Sequence, residues 1–495
     1  MTHERPDTAS SDDSEDSQRW RERDDAPKTR PSVGPADPSH AAGHFDNDLL
    51  QPGQAVPVHL DPERRPTIER LATMVVCCTV VGAIIGVCTA IMSFVLYAVE
   101  AWSLGYKETT SMPGPYTVDW RRRIISLVIA AIIAAIIWYL LRKRYHRVPS
   151  VEQALHGALM PWWQTAVHVM LQICIIGAGM SLGREAGPRQ LGAMIGQRAG
   201  LISRLNKRDL YTLVSIGAGA GIAGVYNAPL AGAVFAIEIL MMDLSLEKIT
   251  CALLCSGMSA WVCTLFTGTH TFYVMGQVDP TFSPDLMLFA IPAGFVCGVC
   301  GGLFRKGSKW AEQNKVQGKK ILWTLPLAGL ATGVLAIWLP EVMGNGRAVA
   351  QLGFASSATM AMLPLILLSF IAKGVMTLLT IRSGASGGVL SPAIALGASM
   401  GCALGIIWMQ FAHTNSIGVY ALLGAAALLG ASEQAPLMAM CLAMEITSAP
   451  MNLFVPVCVI MAVSMLSSRL TLPKVDRVRN TIAHRSFEEG SVFDD

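Results

Sequence analysis

The run Gly183-Arg184-Glu185-Ala186-Gly187-Pro188 sets a guanidinium and a carboxylate between two glycines, with apolar sequence on both sides. Glycine at such a junction lets the backbone turn and come close to an ion. A helix opening near Glu185 presents unpaired N–H groups and the positive end of its dipole, which binds anions without a full positive charge. A weak, uncharged site of that kind can also release its ion. Glu185 brings a carboxylate to the same place and reads as a tethered competitor, so protonation or displacement frees the site. The plainer reading is an acidic residue in the first turn of a surface helix, where carboxylates are favoured. The apolar flanks argue against a surface, and ionisable groups inside a membrane are functional candidates. A second junction, Ser386-Gly387-Gly388-Val389-Leu390-Ser391-Pro392, again turns into a helix and offers backbone donors with no charge.

These junctions sit in related halves. Gly217 to Pro229, leading to Glu238, matches Gly424 to Pro436, leading to Glu445, at an offset of 207 residues. Gly183, Gly192 and Gly196 match Gly388, Gly397 and Gly401 at an offset of 205. Duplicated halves with glycine-interrupted helices point to a transport site at the repeat interface, here segments 181–196 and 384–401.

The elements that must position these residues are membrane helices. The 495-residue chain is 52% hydrophobic and 15% charged, with mean hydropathy +0.45. A soluble domain carries about 25% charged residues. Leu71–Val99 and Ile124–Leu141 hold no charge, and each exceeds the roughly 18 residues needed for a span. In lipid every backbone group must be paired internally, so such runs are helices. The pattern predicts helices over 67–99, 121–144, 150–159, 163–181, 185–202, 208–224, 228–244 and 248–267. A second set covers 283–303, 305–316, 320–340, 358–381, 390–411, 416–430, 436–448 and 452–470. Several are too short to span and must line a cavity or pack against protein.

Residues 1–66 are expected to be a disordered cytoplasmic N-terminus, because Asp7–Arg30 has almost nothing apolar to bury. That stretch lacks the apolar core of a signal peptide. Arg64, Arg65 and Arg70 flank the first span and favour a cytoplasmic side for it. A transmembrane domain then covers 67–473, with halves at about 67–268 and 283–473. Residues 474–495 form a short tail, also expected in the cytoplasm, so the chain reads as multi-pass in the cell membrane. The twelve cysteines lie mostly in apolar runs, and Cys297-Gly-Val-Cys300 reads as helix packing, not a metal site. No cofactor is indicated. The net charge of +3 comes with no basic stripe, which argues against nucleic acid.

The motifs together resemble the CLC family of chloride channels and proton/chloride antiporters, over roughly residues 67–478. Gly183-Arg184-Glu185 looks like the start of the family's Gly-Arg-Glu-Gly-Pro gating motif. Gly388-Val-Leu-Ser-Pro392 is similar to its Gly-Ile-Phe-Ala-Pro segment. Asn227-Ala-Pro-Leu-Ala-Gly232 with Glu238, and Met444-Glu-Ile-Thr447, resemble two further stretches. The resemblance implies an all-α polytopic fold of two inverted-topology halves with tilted, broken helices. It implies a homodimer with one pore per subunit in a lipid bilayer, carrying chloride and in some members protons or other halides. It gives Glu185 as the gate. Anion ligation falls to the backbone N–H groups of Gly183, Arg184, Ala186, Val389, Leu390 and Ser391.

The departures bear on mechanism. The proline of the gating motif comes one place late, at Pro188. His146 falls where the family has a central serine, and Val475 where it has a pore tyrosine, so the central site rests on backbone donors. Ile239 stands where family antiporters carry an inner proton-passing glutamate, a channel-like feature. Glu152 and Glu238 are the candidate substitutes for it, and Glu238 also reads as a capping or pairing group at the subunit contact. Passive channel and proton-coupled exchanger both remain open, as do fluoride and nitrate as cargo. An intramembrane enzyme needs a nucleophile with a base or a metal cluster, and no His-Glu-x-x-His or well-placed Gly-x-Ser-x-Gly appears. A receptor or scaffold that has lost transport is the remaining class.

Overall fold

The computed structural model describes residues 67–109, 111–145, 147–269, 271–276, 283–354, 359–412 and 416–472. The expectations for residues 1–66, His146, Val475 and the tail lie outside these residues. Sixteen α-helices make up the described chain. The first half holds α1 (Thr67–Val99), α2 (Trp120–Tyr145), α3 (Val151–Leu155), α4 (Trp162–Gly177), α5 (Ala186–Ile202), α6 (Lys207–Tyr226), α7 (Pro229–Phe235) and α8 (Leu246–Thr267). The second holds α9 (Pro284–Gln313), α10 (Ile321–Leu335), α11 (Arg347–Phe354), α12 (Leu363–Arg382), α13 (Leu390–Trp408), α14 (Ile417–Glu433), α15 (Pro436–Thr447) and α16 (Phe454–Ser468). Seven helical segments among the described residues are long and apolar enough to cross a membrane.

Helix α2 shows why lipid is the solvent. Leu127, Ala131, Ala134, Ala135 and Trp138 are fully buried, while Ile125, Ile129, Ile132, Ile133 and Ile136 are exposed. A helix apolar on every side, with small residues on its packed face, is built for lipid on the other.

The repeat is visible as paired contacts. Helices α5 and α6 meet where a Cβ on Gly192 would strike the carbonyl of Gly217, and one on Gly196 the carbonyl of Leu213. Helices α13 and α14 repeat this with Gly397 on Gly424 and Gly401 on Tyr420. Only glycine admits so close a backbone approach. Asn227 caps the C-terminus of α6 and Gln434 that of α14, both left-handed, with φ of 52° and 57°. Pro229 and Pro436 then open α7 and α15.

Two acidic residues show that the halves are inverted. Glu238, in the π-helical turn Ala236–Met241 that follows α7, accepts the N–H groups of Leu437 (3.1 Å) and Met438 (2.8 Å) at the start of α15. Glu445, near the end of α15, accepts those of Leu230 (2.9 Å) and Ala231 (2.8 Å) at the start of α7. Each carboxylate satisfies the orphan donors of the other helix. A residue late in each helix can reach the beginning of the other only if the two run antiparallel.

Two expectations about element boundaries fail. The break expected between 303 and 305 is absent, and α9 runs unbroken through Leu303, Phe304 and Arg305. Its glycines are packing notches: a Cβ on Gly298 would strike Ser464, one on Gly301 would strike Ala431, and one on Gly302 would strike Thr471. Helix α11, eight residues long, was not foreseen in the span between 340 and 358.

Candidate anion-binding site

The two glycine junctions meet. Gly183 and Gly388 form an antiparallel bridge, with Gly183 N–H on Gly388 O at 2.8 Å and Gly388 N–H on Gly183 O at 2.9 Å. The bridge joins one half to the other at the start of α5 and α13. It also corrects one expectation, because the N–H of Gly183 is committed to Gly388 and is not offered to an ion. Ala186 opens α5, Val389 caps α13, and Leu390 opens α13.

The side chain of Glu185, the N-cap of α5, does not bond its own helix. Its fully buried carboxylate crosses to the N-terminus of α13. There Oε1 accepts the N–H of Leu390 at 2.7 Å. Oε2 accepts the hydroxyls of Ser391 at 2.9 Å and Tyr226 at 3.0 Å. The two hydroxyls also lie against each other. A negative group at a helix N-terminus is stabilised by the helix dipole as well as by these donors. The carboxylate thus occupies the place that sequence reasoning reserved for an anion.

Sequence reasoning missed two of these donors as side chains. Ser391 was expected to offer its N–H, yet its hydroxyl makes the contact. Tyr226 was read only as part of the repeat. Its signal was a hydroxyl on the last residue of an apolar helix, just before Asn227-Ala-Pro229. Its ring is fixed edge-on against Phe272, with centroids 5.5 Å apart.

Arg184 turns away from Glu185. Its guanidinium lies 4.2 Å from the ring centroid of Phe272, and that of Arg347 lies 4.5 Å from the same ring. Arg184 donates to Val225 O at 3.1 Å, while its Nε and Nη1 find no hydrogen-bond acceptor among the described residues. Arg347 pairs with Glu108 at 3.1 Å, and both are buried. These groups, with Lys107 and Tyr226, line a cavity of about 290 Å³ beside the end of α1. A second cavity, of about 360 Å³, lies at the far end of α2 and is lined by Arg142, Lys143, Arg147 and Lys315. Since α2 returns from the end at which α1 finishes, the two basic cavities open at opposite ends of the bundle. Burial pushes the Lys315 ammonium down to about 8, against the opposing pull of Glu312.

The other acidic candidates are not brought to Glu185. Glu152 is exposed in the first turn of α3. Glu238 caps α15, as described. Ile239 is half-buried and packs against the core. A carboxylate the sequence reading passed over, Glu433, stands 207 residues after Tyr226, at the matching place in the repeat. It ends α14.

A family model described as voltage gated chloride channel matches residues 129–469. The chain belongs to that family. The H(+)/Cl(-) exchange transporter ClcA of Cronobacter sakazakii is 31% identical over 349 residues, covering 67% of this chain and 73% of that protein. ClcA of Salmonella agona is 30% identical over 344 residues, covering 65% and 71%. Among solved structures, a slow cyanobacterial Cl−/H+ antiporter aligns with TM-score 0.68 at 22% identity, covering 84% of this chain and 98% of that one. A CLC-type fluoride/proton antiporter aligns with TM-score 0.67 at 22% identity, covering 82% and 98%. The CLC fold expected from the motifs is therefore the fold observed, and the chain is a multi-pass membrane protein.

Proposed function

We propose that this CLC protein exchanges chloride for protons and that Glu185 is both its gate and a carrier of the proton. The observation that carries the reading is the Glu185 carboxylate seated on the N-terminus of α13, bound by Leu390, Ser391 and Tyr226. Ionised, it accepts these three donors and shuts out an anion. Protonated, it loses the charge that strengthens those bonds. It then leaves, and an anion replaces it. The N–H groups at Ala186, Leu390 and Ser391 and the basic cavities on either side supply attraction without a full charge at the binding point.

The relatives named as exchangers support proton coupling over a passive channel. Ile239 favours the channel, so an exchanger must take its protons by another route. We assign that step to Glu433, the carboxylate that ends α14 at the repeat position of Tyr226, whose hydroxyl binds Glu185. Fluoride is the second cargo to test, since a structural neighbour is a fluoride/proton antiporter. We further propose a homodimer with both termini in the cytoplasm. Leu230, Leu437, Val455 and Leu466 are exposed on α7, α15 and α16, where a second copy would cover them.

The test is to load liposomes containing the purified protein with chloride and to record chloride efflux and external pH together. Chloride efflux with proton uptake, the uptake lost in Glu185→Gln, is the expected result. Efflux with no pH change in the wild type would make the chain a passive channel. No chloride movement would overturn the chloride reading, and the assay would be repeated with fluoride.

A further inference from the structure

We propose that Tyr226 and Ser391 are side-chain ligands of the transported anion, a hydroxyl pair contributed one from each half of the repeat. The inference rests on the chloride reading above and names what holds the ion once the carboxylate has gone.

Three donors converge on the Glu185 carboxylate: Leu390 N–H at 2.7 Å, the Ser391 hydroxyl at 2.9 Å and the Tyr226 hydroxyl at 3.0 Å. All three residues are at most 3% exposed. When Glu185 leaves, its acceptor oxygens leave with it. The hydroxyls then keep only each other, and two hydroxyls cannot satisfy both protons in a single contact. A buried donor without an acceptor is costly, so the vacated place favours an incoming acceptor. A small inorganic anion is such an acceptor, and the donors are neutral, so they bind it without trapping it.

The pair is held in place before any ion arrives. Tyr226 is the last residue of α6, followed at once by the left-handed Asn227. Its ring is wedged against Phe272, with the Arg184 guanidinium 5.4 Å from the ring centroid on the side of the cavity that Arg347 and Lys107 line. Ser391 sits in the first turn of α13, fixed by the Gly183–Gly388 bridge just before it. Neither hydroxyl has a counterpart at the matching repeat position: Tyr226 corresponds to Glu433 and Ser391 to Ala186. A single hydroxyl-lined point is thus made once in the subunit, from two unlike contributions. The positions where the family resemblance calls for hydroxyl ligands hold His146 and Val475, which have none.

A purely positioning role, in which the hydroxyls only hold the carboxylate, is separated by removing the carboxylate first. Chloride binding to the purified full-length protein is measured by calorimetry for Glu185→Ala, then with Tyr226→Phe or Ser391→Ala added. Each lost hydroxyl is expected to weaken chloride binding about tenfold. The loss should fall more on chloride and fluoride than on thiocyanate, which accepts hydrogen bonds poorly. Ser391→Thr, which keeps a hydroxyl, should restore binding. Gel filtration and thermal unfolding of each variant confirm the fold. Unchanged chloride affinity in well-folded double variants would show that the hydroxyls serve only to position Glu185, and would overturn the inference while leaving the transport reading intact. If Glu185→Ala neither binds chloride nor passes it in liposomes, the transport reading itself fails, and this inference with it.

Discussion

Replacing Gly388 with alanine puts a methyl group where the Glu185 carboxylate now lies. A Cβ built on Gly388 meets Oε1, Cδ and Cγ of Glu185 before any other atom. The backbone itself tolerates the change, since Gly388 is not among the residues with positive φ. The carboxylate must therefore move. It is bound by three donors at 2.7, 2.9 and 3.0 Å, and a hydrogen bond to a charged group contributes about 1.5–3 kcal/mol. Loss of even one such bond shifts the equilibrium between closed and open forms at least about tenfold toward open. Gly388→Ala is thus expected to raise chloride efflux from liposomes at neutral pH by about tenfold where gate opening limits the rate, and to weaken its dependence on pH. The same substitution in Glu185→Ala should add nothing, because no carboxylate remains to displace. Wild-type efflux and wild-type proton coupling in Gly388→Ala would refute the placement of the gate.

Three further outcomes are expected. Arg347→Met should lower thermal stability in detergent by about 3–5 kcal/mol, because it strands the buried Glu108 carboxylate. Adding Glu108→Gln should recover most of that loss, and equal destabilisation in the double variant would show that the pair is not coupled. Glu433→Gln should reduce the protons moved per chloride while chloride efflux continues, and unchanged coupling would remove Glu433 from the proton route. Chloride flux from the Lys315 side should fall as pH rises through about 8, where this lysine loses its charge. Lys315→Arg keeps the charge and should remove the step near pH 8 while leaving the gate's own pH dependence, and a step near pH 8 that persists in Lys315→Arg would assign that titration to another group.

Much of the framework was legible because glycine, proline and glutamate leave traces at fixed spacing. The 205- and 207-residue offsets named the helices that pair, and the bridge between Gly183 and Gly388 joins two residues already matched by register. Glu238 and Glu445 were recognisable as counterparts, yet nothing local showed that each caps the other's helix. The hydroxyls of Tyr226 and Ser391 were out of reach for the same reason. They are 165 residues apart and meet through the fold alone. The failed break in α9 fell where the apolar run gives way to Arg305 and Lys306, yet the helix continues through them, while Gly298, Gly301 and Gly302 admit neighbouring helices. Helix α11 escaped because it is short and follows Gly344-Asn345-Gly346, which reads as a turn.

The most direct test of proton-coupled exchange is to impose a proton gradient across liposomes that hold equal chloride on both sides. The account predicts net chloride movement against its own developing gradient, in the direction opposite to the proton flow, abolished in Glu185→Gln. Chloride that stays at equilibrium while the proton gradient persists, in protein that passes chloride down a chloride gradient, would contradict it.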